Sequence, residues 1–326
     1  AITRKLVRIV AIMLVVYAGL MVLAWHQFSS TPTGFIPQQD KGYLIAIIQL
    51  PAGSSLSRTD AVLRQAADIL TDVPGVAHTV VIGGLDGSTF TIASNSGVIF
   101  VPLTECDQRI PDGLTSDVIQ GDAQRALSSQ IDQAMVIVAS PPPVSGIGNS
   151  GGWKLYLQDL QGRGQEALAQ VAQAFIVAAN QNLELRQVYN LYQASTPRIH
   201  ATVDRTRAEL LAVSAGDIND TLSIYLGSRY VNDFNFIGQT YRIIAQAEGV
   251  DRNEPDDILR LKVRSANGDM VPLGSLVTLE NTVGPIRLSR YEVYPAIDVQ
   301  GEPAPGISSG QALAAVEKMM DEMLPD

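Results

Sequence analysis

One uncharged apolar run limits what this chain can fold into. From Ile9 to Trp25 there is no Asp, Glu, Lys or Arg, and a helix of about 17–20 residues just crosses a hydrocarbon core of about 30 Å. Three basic residues precede the run: Arg4, Lys5 and Arg8. The positive-inside bias therefore places the N-terminus in the cytoplasm. We expect a transmembrane helix within residues 1–30, followed by an exported body.

A signal peptide is the alternative, since it also joins a basic region to an apolar one. The run is long for that purpose, and no small-residue cleavage site follows cleanly at AWHQFSS. The chain also begins at Ala1 rather than at a methionine, which suggests a fragment or a processed product.

Composition excludes several classes of protein. The 326 residues carry a net charge of −10, whereas nucleic-acid binding requires basic stripes. Cys106 is the single cysteine, so neither an internal disulfide nor a cysteine metal cluster can form. The length is sufficient for two or three domains.

Hydrophobic periodicity after the apolar run predicts a βαββαβ unit over residues 31–145. Apolar runs predict strands at 43–50, 76–82, 97–103 and 134–139, and helical spacing predicts helices at 57–71 and 115–129. That order is typical of a ferredoxin-like layer, in which two helices pack on an antiparallel sheet.

The same succession of strand and helix patterns begins again after the linker at 141–152. It predicts strands at 153–158, 185–192 and 296–300, and helices at 165–180 and 308–324. The second unit therefore covers 146–195 and 290–326, is interrupted by a mixed α/β insertion at 196–289, and stops before its last strand. We expect an α+β fold with two ferredoxin-like subdomains after one membrane helix.

Two glycine motifs do not predict catalysis. GIGNSG at 146–151 precedes a strand rather than a helix, so it lacks the context of a dinucleotide site. GISSG at 306–310 lies downstream of all three histidines, contrary to the hydrolase order, and we interpret Ser308 or Ser309 as a helix N-cap. No metal ligand set or cofactor motif is expected.

Several segments in order resemble the resistance-nodulation-division (RND) efflux pumps, hydrophobe/amphiphile branch. They are PTGFIPQQDKGYLIAIIQLPAGSSLSRT, GVIFVPL, SRYVNDF, NGDMVPL and QGEPAPGISSGQAL. The resemblance covers nearly the whole chain and corresponds to the seventh transmembrane helix and second periplasmic loop. It implies that the two units are porter subdomains and that the insertion is a docking subdomain.

The resemblance also implies a function. Such pumps are proton/drug antiporters of the bacterial inner membrane, not enzymes, and they export hydrophobic or amphiphilic small molecules. They work as homotrimers with a periplasmic adaptor protein and an outer-membrane channel. The bulk of this chain would lie in the periplasm. The residues that carry protons in these pumps are absent from the run at 9–25, so we expect this segment not to pump alone.

Family motifs carried onto this sequence give a candidate substrate pocket. Its members would be Ile45, Ile47, Ile82, Leu85, Phe90, Val98 and Phe100, with Ile137 nearer the entrance. Alternation along strands places Ile45 with Ile47, and Val98 with Phe100, on shared faces; ordinary sheet core is the alternative for each residue. The segment 84–97 matches a switch loop, and its small residues would suit motion.

A second candidate surface lies in the insertion, where SRYVNDFNFIGQTYRI alternates like a hairpin. The resemblance implies a docking contact through Tyr230, Val231, Asn232, Asp233 and Phe234, with an ordinary sheet hairpin as the alternative. Two other functions remain open: an exporter of lipids or hopanoid-like molecules in the same superfamily, and a membrane-anchored periplasmic scaffold.

Overall fold

The chain is a mixed α/β protein with several antiparallel sheets. The computed structural model describes residues 10–31, 34, 36, 39–87, 89–144 and 151–324. Most of the glycine linker predicted at 146–151 lies outside these residues. The chain divides into two compact units, one comprising Ala1–Ala194 with Pro285–Asp326 and the other Ser195–Gly284.

Helix α1 (Val10–Ser30) corresponds to the apolar run. Its described side chains are all exposed, so no described part of the chain covers their apolar surface. Within the described residues it is the one helix whose length and composition suffice to cross a membrane, with a mean hydropathy of 1.6 over Ile12–Ser30.

A first layer follows, in which two helices cover one face of a four-stranded antiparallel sheet. Its elements are β1 (Tyr43–Gln49), α2 (Leu56–Thr71), β2 (Val80–Leu85), β3 (Ile92–Pro102), α3 (Cys106–Arg109), α4 (Ser116–Gln130) and β4 (Met135–Ala139). The strand order is β2-β3-β1-β4. Ser55 and Thr115 accept hydrogen bonds from backbone amides as the N-caps of α2 and α4, which explains where both helices begin.

The four predicted strands and two long helices occur in the predicted succession, with the short helix α3 in addition. Two strands begin several residues away from the predicted position. The second strand begins at Val80 rather than at 76, because Val76 forms only an isolated bridge with Leu103 after the turn at Gly75. The third strand begins at Ile92 rather than at 97, since five more residues extend into the β2–β3 hairpin.

Arg109 is a buried charged group at the edge of this layer, only 2% exposed. Its guanidinium donates to the carbonyls of Thr104 and Leu114 at 2.9 Å each and pairs with Asp40. Burial acts to raise the pKa of Asp40, but the Arg109 contacts and the Gly42 amide outweigh it, so this pKa lies below its ordinary value. Arg109 thus ties the segment before β1 to the loop before α4.

A second layer begins with β5 (Trp153–Gln158), α5 (Gln165–Ala179) and β6 (Leu185–Tyr189). Strand β6 ends three residues earlier than predicted. The chain then enters the other compact unit, close to the predicted insertion at 196–289, although residues 285–289 belong to the first unit.

The unit Ser195–Gly284 contains three separate two-stranded sheets. Its elements are β7 (Thr196–Val203), α6 (Arg205–Leu210), α7 (Ala215–Gly227), β8 (Arg229–Phe236), β9 (Gln239–Ala245), α8 (Pro255–Arg260), β10 (Lys262–Arg264), β11 (Met270–Pro272) and β12 (Val277–Gly284), with single 3-10 turns at Gly249–Asp251 and Leu273–Ser275. The pairs are β7–β12, β8–β9 and β10–β11.

The second layer is completed by β13 (Arg290–Tyr291), β14 (Tyr294–Pro303) and α9 (Ser309–Met323). Strand β14 is central, since it pairs with β13, β5 and β6. Ser308 caps α9 in a capping box with Gln311, which confirms the N-cap interpretation of the GISSG motif.

Candidate functional site

Strand β1 carries apolar side chains on both faces. Leu44, Ala46 and Ile48 belong to the core beneath α2 and α4, whereas Ile45 and Ile47 point to the opposite side. The predicted alternation is confirmed. A sheet that is apolar on both faces needs a cover on each, and the helices supply only one.

The other cover comes from the second layer. An interlayer cluster consists of buried Ile45, Ile47, Val98, Ile137, Tyr189 and Leu191, with partly buried Tyr43, Leu85 and Phe100. Ile47 lies beside Val98 on one neighbouring strand and beside Ile137 on the other, and it is 2% exposed. Six of the eight predicted pocket residues therefore lie in one cluster, where the two layers meet.

Sequence reasoning missed the two residues that close this cluster, Tyr189 and Leu191. The available signal was their spacing, since apolar residues two apart at the end of a strand share a face. Nothing local indicated that this face would meet β1, because the contact joins residues more than 140 positions apart.

Hydrogen bonds between the layers border the apolar cluster. Gln49 Nε2 donates to the Leu191 carbonyl at 2.9 Å, and Asn95 Nδ2 donates to Gln193 Oε1 at 2.8 Å. Gln193 Nε2 returns a bond to the Leu50 carbonyl at 3.1 Å. This polar border satisfies the backbone at the end of β1 and gives the contact a defined register.

Ile82 and Phe90 lie outside the cluster. Ile82 is 39% and Phe90 48% exposed. Phe90 has a φ of 53°, in the left-handed region, within a turn held by Asp86. The Asp86 amide donates to the Thr91 carbonyl, and its carboxylate accepts from the Thr89 amide at 3.1 Å.

The glycines of the predicted switch loop have a structural role different from the one expected. The strands leave only residues 86–91 between them, so the loop interpretation of 84–97 was wrong over most of its length. A Cβ at Gly97 would overlap Leu63 of α2. Gly84 has a φ of 80° where the β2–β3 register shifts, as in a bulge. Close packing and the bulge account for these two glycines.

Facing away from its own helices, the second layer is polar and aromatic. Tyr156 stacks on Tyr291 with ring centroids 4.5 Å apart, and the Lys154 ammonium lies 4.9 Å from the Tyr156 ring. Lys154 also pairs with Asp298 at 3.3 Å. Burial acts to lower the pKa of Lys154, but Asp298 and Tyr156 outweigh it and raise this pKa. This face of the second layer thus combines stacked aromatic rings with an ion pair.

The predicted hairpin of the insertion is confirmed as β8–β9. Every residue of β8 is exposed, including Tyr230, Val231, Asn232, Asp233 and Phe234. Phe234 stacks on Tyr241 of β9 at 5.5 Å. An isolated two-stranded hairpin is marginally stable in water, and most of its side chains are exposed in this structure.

The described residues thus combine an apolar helix, a buried apolar contact between two layers and an exposed hairpin. The chain matches the AcrB/AcrD/AcrF family over residues 1–326. It belongs to this family of RND multidrug efflux pumps, and the predicted resemblance is confirmed.

Three relatives illustrate the similarity. The chain is 36% identical over 318 residues to the multidrug/solvent efflux pump membrane transporter MepB of Pseudomonas putida, which covers 95% of this chain and 29% of the relative. It is 34% identical over 319 residues to the multidrug export protein AcrF of Escherichia coli, covering 97% and 30%. It is 33% identical over 313 residues to the toluene efflux pump membrane transporter TtgE of Pseudomonas putida, covering 95% and 30%. The chain thus spans less than a third of each relative's length.

Proposed function

We propose that this chain is the substrate-handling and docking part of a proton-driven drug or solvent exporter in a bacterial inner membrane. Hydrophobic or amphiphilic small molecules would pass between the first and second layers. The names of the relatives support this class of substrate, since they specify multidrug, solvent and toluene efflux.

The observation that carries the proposal is the apolar surface of β1 and β3 that the helices leave uncovered. Burying apolar area yields about 25 cal/mol per Å², whatever molecule covers it. Only a few side chains of the second layer cover this surface. An apolar small molecule could therefore replace them at little cost in free energy. Ile45, Ile47 and Phe100 would contact that molecule when the layers separate. The surfaces of Ile82, Leu85 and Phe90 would extend the passage along β2 and the turn that follows it.

The strand order β2-β3-β1-β4 with two helices on one face supports a ferredoxin-like first porter subdomain over 31–145. The second porter subdomain would comprise 146–195 and 290–326, and the docking subdomain 196–289. Helix α1, preceded by Arg4, Lys5 and Arg8, would cross the membrane and place these subdomains in the periplasm. No charged residue lies from Ile9 to Trp25, so proton coupling would reside elsewhere in the transporter.

The β8–β9 hairpin would contact neighbouring docking subdomains in a homotrimer. Its aromatic and aliphatic side chains remain largely exposed, even where they contact one another within the hairpin. A periplasmic adaptor protein and an outer-membrane channel would complete a tripartite complex, as the family membership supports.

Two neighbouring residues of β1 give a matched test. Ile47 faces the interlayer cluster and Ile48 faces the helices, and they are 2% and 0% exposed. Truncating either to Ala creates a cavity and should cost about 2–5 kcal/mol. Only Ile47 would touch substrate.

The measurement is susceptibility of an efflux-deficient host that expresses the complete transporter, compared over a set of drugs and solvents at equal protein abundance. Ile47→Ala should change the ranking of exported compounds. Ile48→Ala should lower protein abundance and leave the ranking unchanged. The same ranking for both variants and the unmodified transporter would overturn the proposal.

A further inference from the structure

A second contact between the layers is polar and lies away from the interlayer cluster. Its centre is Gln120 of α4, which is 2% exposed. Gln120 Nε2 lies 3.1 Å from both carboxylate oxygens of Glu302 on β14, 2.9 Å from the Val138 carbonyl and 3.2 Å from Gln187 Oε1. Gln120 Oε1 accepts from the Ser140 hydroxyl at 3.0 Å. One side chain of the first layer thus holds two residues of the second.

This contact has more acceptors than hydrogens. An amide NH₂ group carries two hydrogens, and four acceptor atoms surround that of Gln120. Glu302 is only 5% exposed, and its other donors are Arg186 and the Ser140 backbone. Its carboxylate competes with the Val138 carbonyl and Gln187 Oε1 for the two Gln120 hydrogens, and a charge on so buried a carboxyl group is costly. Protonating Glu302 would turn one of its oxygens into a hydroxyl donor.

Gln187 adds strain to the same contact. Its φ is 49°, a region that residues other than glycine rarely adopt. Its Nε2 donates to Gln124 Oε1 of α4 at 3.1 Å, while its Oε1 faces Gln120. Both stabilising partners are on the first layer, so separating the layers would remove the contacts that favour this backbone conformation.

Two charged side chains continue this contact outward from Glu302, Arg186 on the second layer and Asp117 on the first. Arg186 of β6 pairs with Glu302 at 2.9 Å, and its other contact is Asp117 of α4 at 3.9 Å. Arg186 is about one third exposed and Asp117 mostly exposed, so water screens the outer part of this chain of charges. The Ser140 backbone completes the surroundings of the carboxyl group.

We propose that Gln120 and Glu302 form a releasable latch between the two layers, which holds them closed when Glu302 is protonated and weakens when it ionises. The proposal rests on the proposed function, because it requires that the layers separate during transport. It identifies a proton-sensitive contact in the exported body, distinct from any proton pathway in the membrane.

The electrostatics of the carboxyl group agree with this sign. Burial raises the pKa of Glu302, and Arg186 and Gln120 offset only part of the effect, so the pKa stays above its ordinary value of 4.5. In separated layers the carboxyl would reach water and return toward that value. The closed state therefore binds the proton more tightly. Closure is favoured at low pH and is weakened as pH rises through the raised pKa.

The test measures how often the layers open, using the complete transporter in membranes. Cys106→Ser removes the thiol of this chain, any further cysteines are replaced, and Ile47→Cys places a reporter inside the interlayer cluster. Its rate of reaction with a maleimide is divided by that of Ser129→Cys, an exposed position on α4, which cancels the pH dependence of thiol chemistry.

Gln120→Leu should raise the normalised reporter rate by roughly tenfold, as expected where a buried group loses its hydrogen-bond partner. Gln65→Leu is the matched control, since the Gln65 amide bonds the Gln130 carbonyl within the first layer. Glu302→Gln should keep the rate low and remove its rise with pH, because the amide stays neutral.

The outcomes separate the two proposals. A reporter that stays unreactive in every variant, and when an exported drug is added, would show that the layers do not open and would overturn the proposed function. A reactive reporter with equal rates for Gln120→Leu and Gln65→Leu would overturn the latch alone. So would a Glu302→Gln variant that retains the pH dependence.

Discussion

Gly87 lies directly over Ile47, so that a Cβ at Gly87 would come 2.7 Å from Ile47 Cγ1 and 2.9 Å from its Cγ2. The turn between β2 and β3 therefore packs directly against the interlayer cluster. Ile47 cannot easily yield, because a β-branched side chain has few χ1 rotamers and this one is buried. The contact couples the position of the turn to the apolar surface proposed for substrate.

Gly87→Ala should therefore lift the turn and destabilise the transporter by about 1–3 kcal/mol, as overpacking does. Gly121→Ala is the control, since a Cβ there meets nothing within 4 Å, and alanine within a helix is worth about 0.5–1 kcal/mol over glycine. Thermal unfolding of the detergent-solubilised transporter should show a lower melting temperature for the first variant only. Equal melting temperatures would contradict the contact.

Gly97 and Leu63 give a second, coupled prediction. Gly97→Ala alone should cost about 1–3 kcal/mol through overlap with Leu63, and Leu63→Ala alone about 2–5 kcal/mol through the cavity it leaves. The double variant should be more stable than the sum predicts, because the new methyl group fills part of that cavity. Additive losses in a double-mutant cycle of unfolding free energies would show that the two side chains do not meet.

The Arg109–Asp40 pair predicts a pH dependence. Since the Asp40 pKa is lowered in the folded chain, the stability that this pair supplies is present above the ordinary pKa and is lost as pH falls through the lowered one. Asp40→Asn should remove that part of the acid destabilisation, so the variant is less stable than the unmodified protein at neutral pH and loses less on acidification. Melting temperatures of the two proteins, measured from neutral to acidic pH, should converge at the acidic end; parallel curves would exclude the pair as the cause.

Substitutions of Arg109 should destabilise the fold more than Asp40→Asn does. Arg109→Met would remove the donor to the partly buried Thr104 and Leu114 carbonyls, at a cost of about 1–3 kcal/mol. Arg109→Lys should rescue little, since an ammonium cannot reproduce the guanidinium fork. Protein abundance and melting temperature measure both variants, and a rescue by Lys would argue that charge alone matters.

The β8–β9 hairpin provides a prediction for assembly. Phe234→Ser removes an exposed aromatic side chain whose stacking partner is in its own hairpin, so it should weaken the trimer while changing the fold of the subunit little. Val250→Ser, at a residue 78% exposed in the same unit, is the control. Native electrophoresis of the solubilised transporter should show more monomer for the first variant; an intact trimer in both would argue against the docking role.

Much of the site could be predicted because strand alternation is a local property. The spacing of Ile45 and Ile47 places both side chains on one face of β1, whichever part of the chain covers that face. The extent of β3 could not be predicted in the same way. Asn95 and Ser96 have the composition of a loop, yet both are buried, because Asn95 bonds the Leu50 carbonyl and Gln193 far along the chain.

The Gln120–Glu302 contact shows the same limit more sharply. Its two residues are 182 positions apart, Gln120 lies within a predicted helix, and Glu302 lies two residues beyond the predicted strand at 296–300. Glutamine is mostly an exposed residue, so the sequence around Gln120 gives no reason to expect a buried contact with a distant strand.

The pairing of β5 with β14 has a consequence for biosynthesis. In the described residues β14 is the only strand that pairs with β5, and the whole unit Ser195–Gly284 lies between them in the chain. At about 5–20 residues per second, on the order of ten seconds pass between synthesis of the two strands. The inserted unit contains its own strand partners and can fold during that interval. Strand β5 meanwhile has an open edge, the kind of surface that invites pairing with another chain, so the nascent second layer is exposed to mispairing until β14 is synthesised.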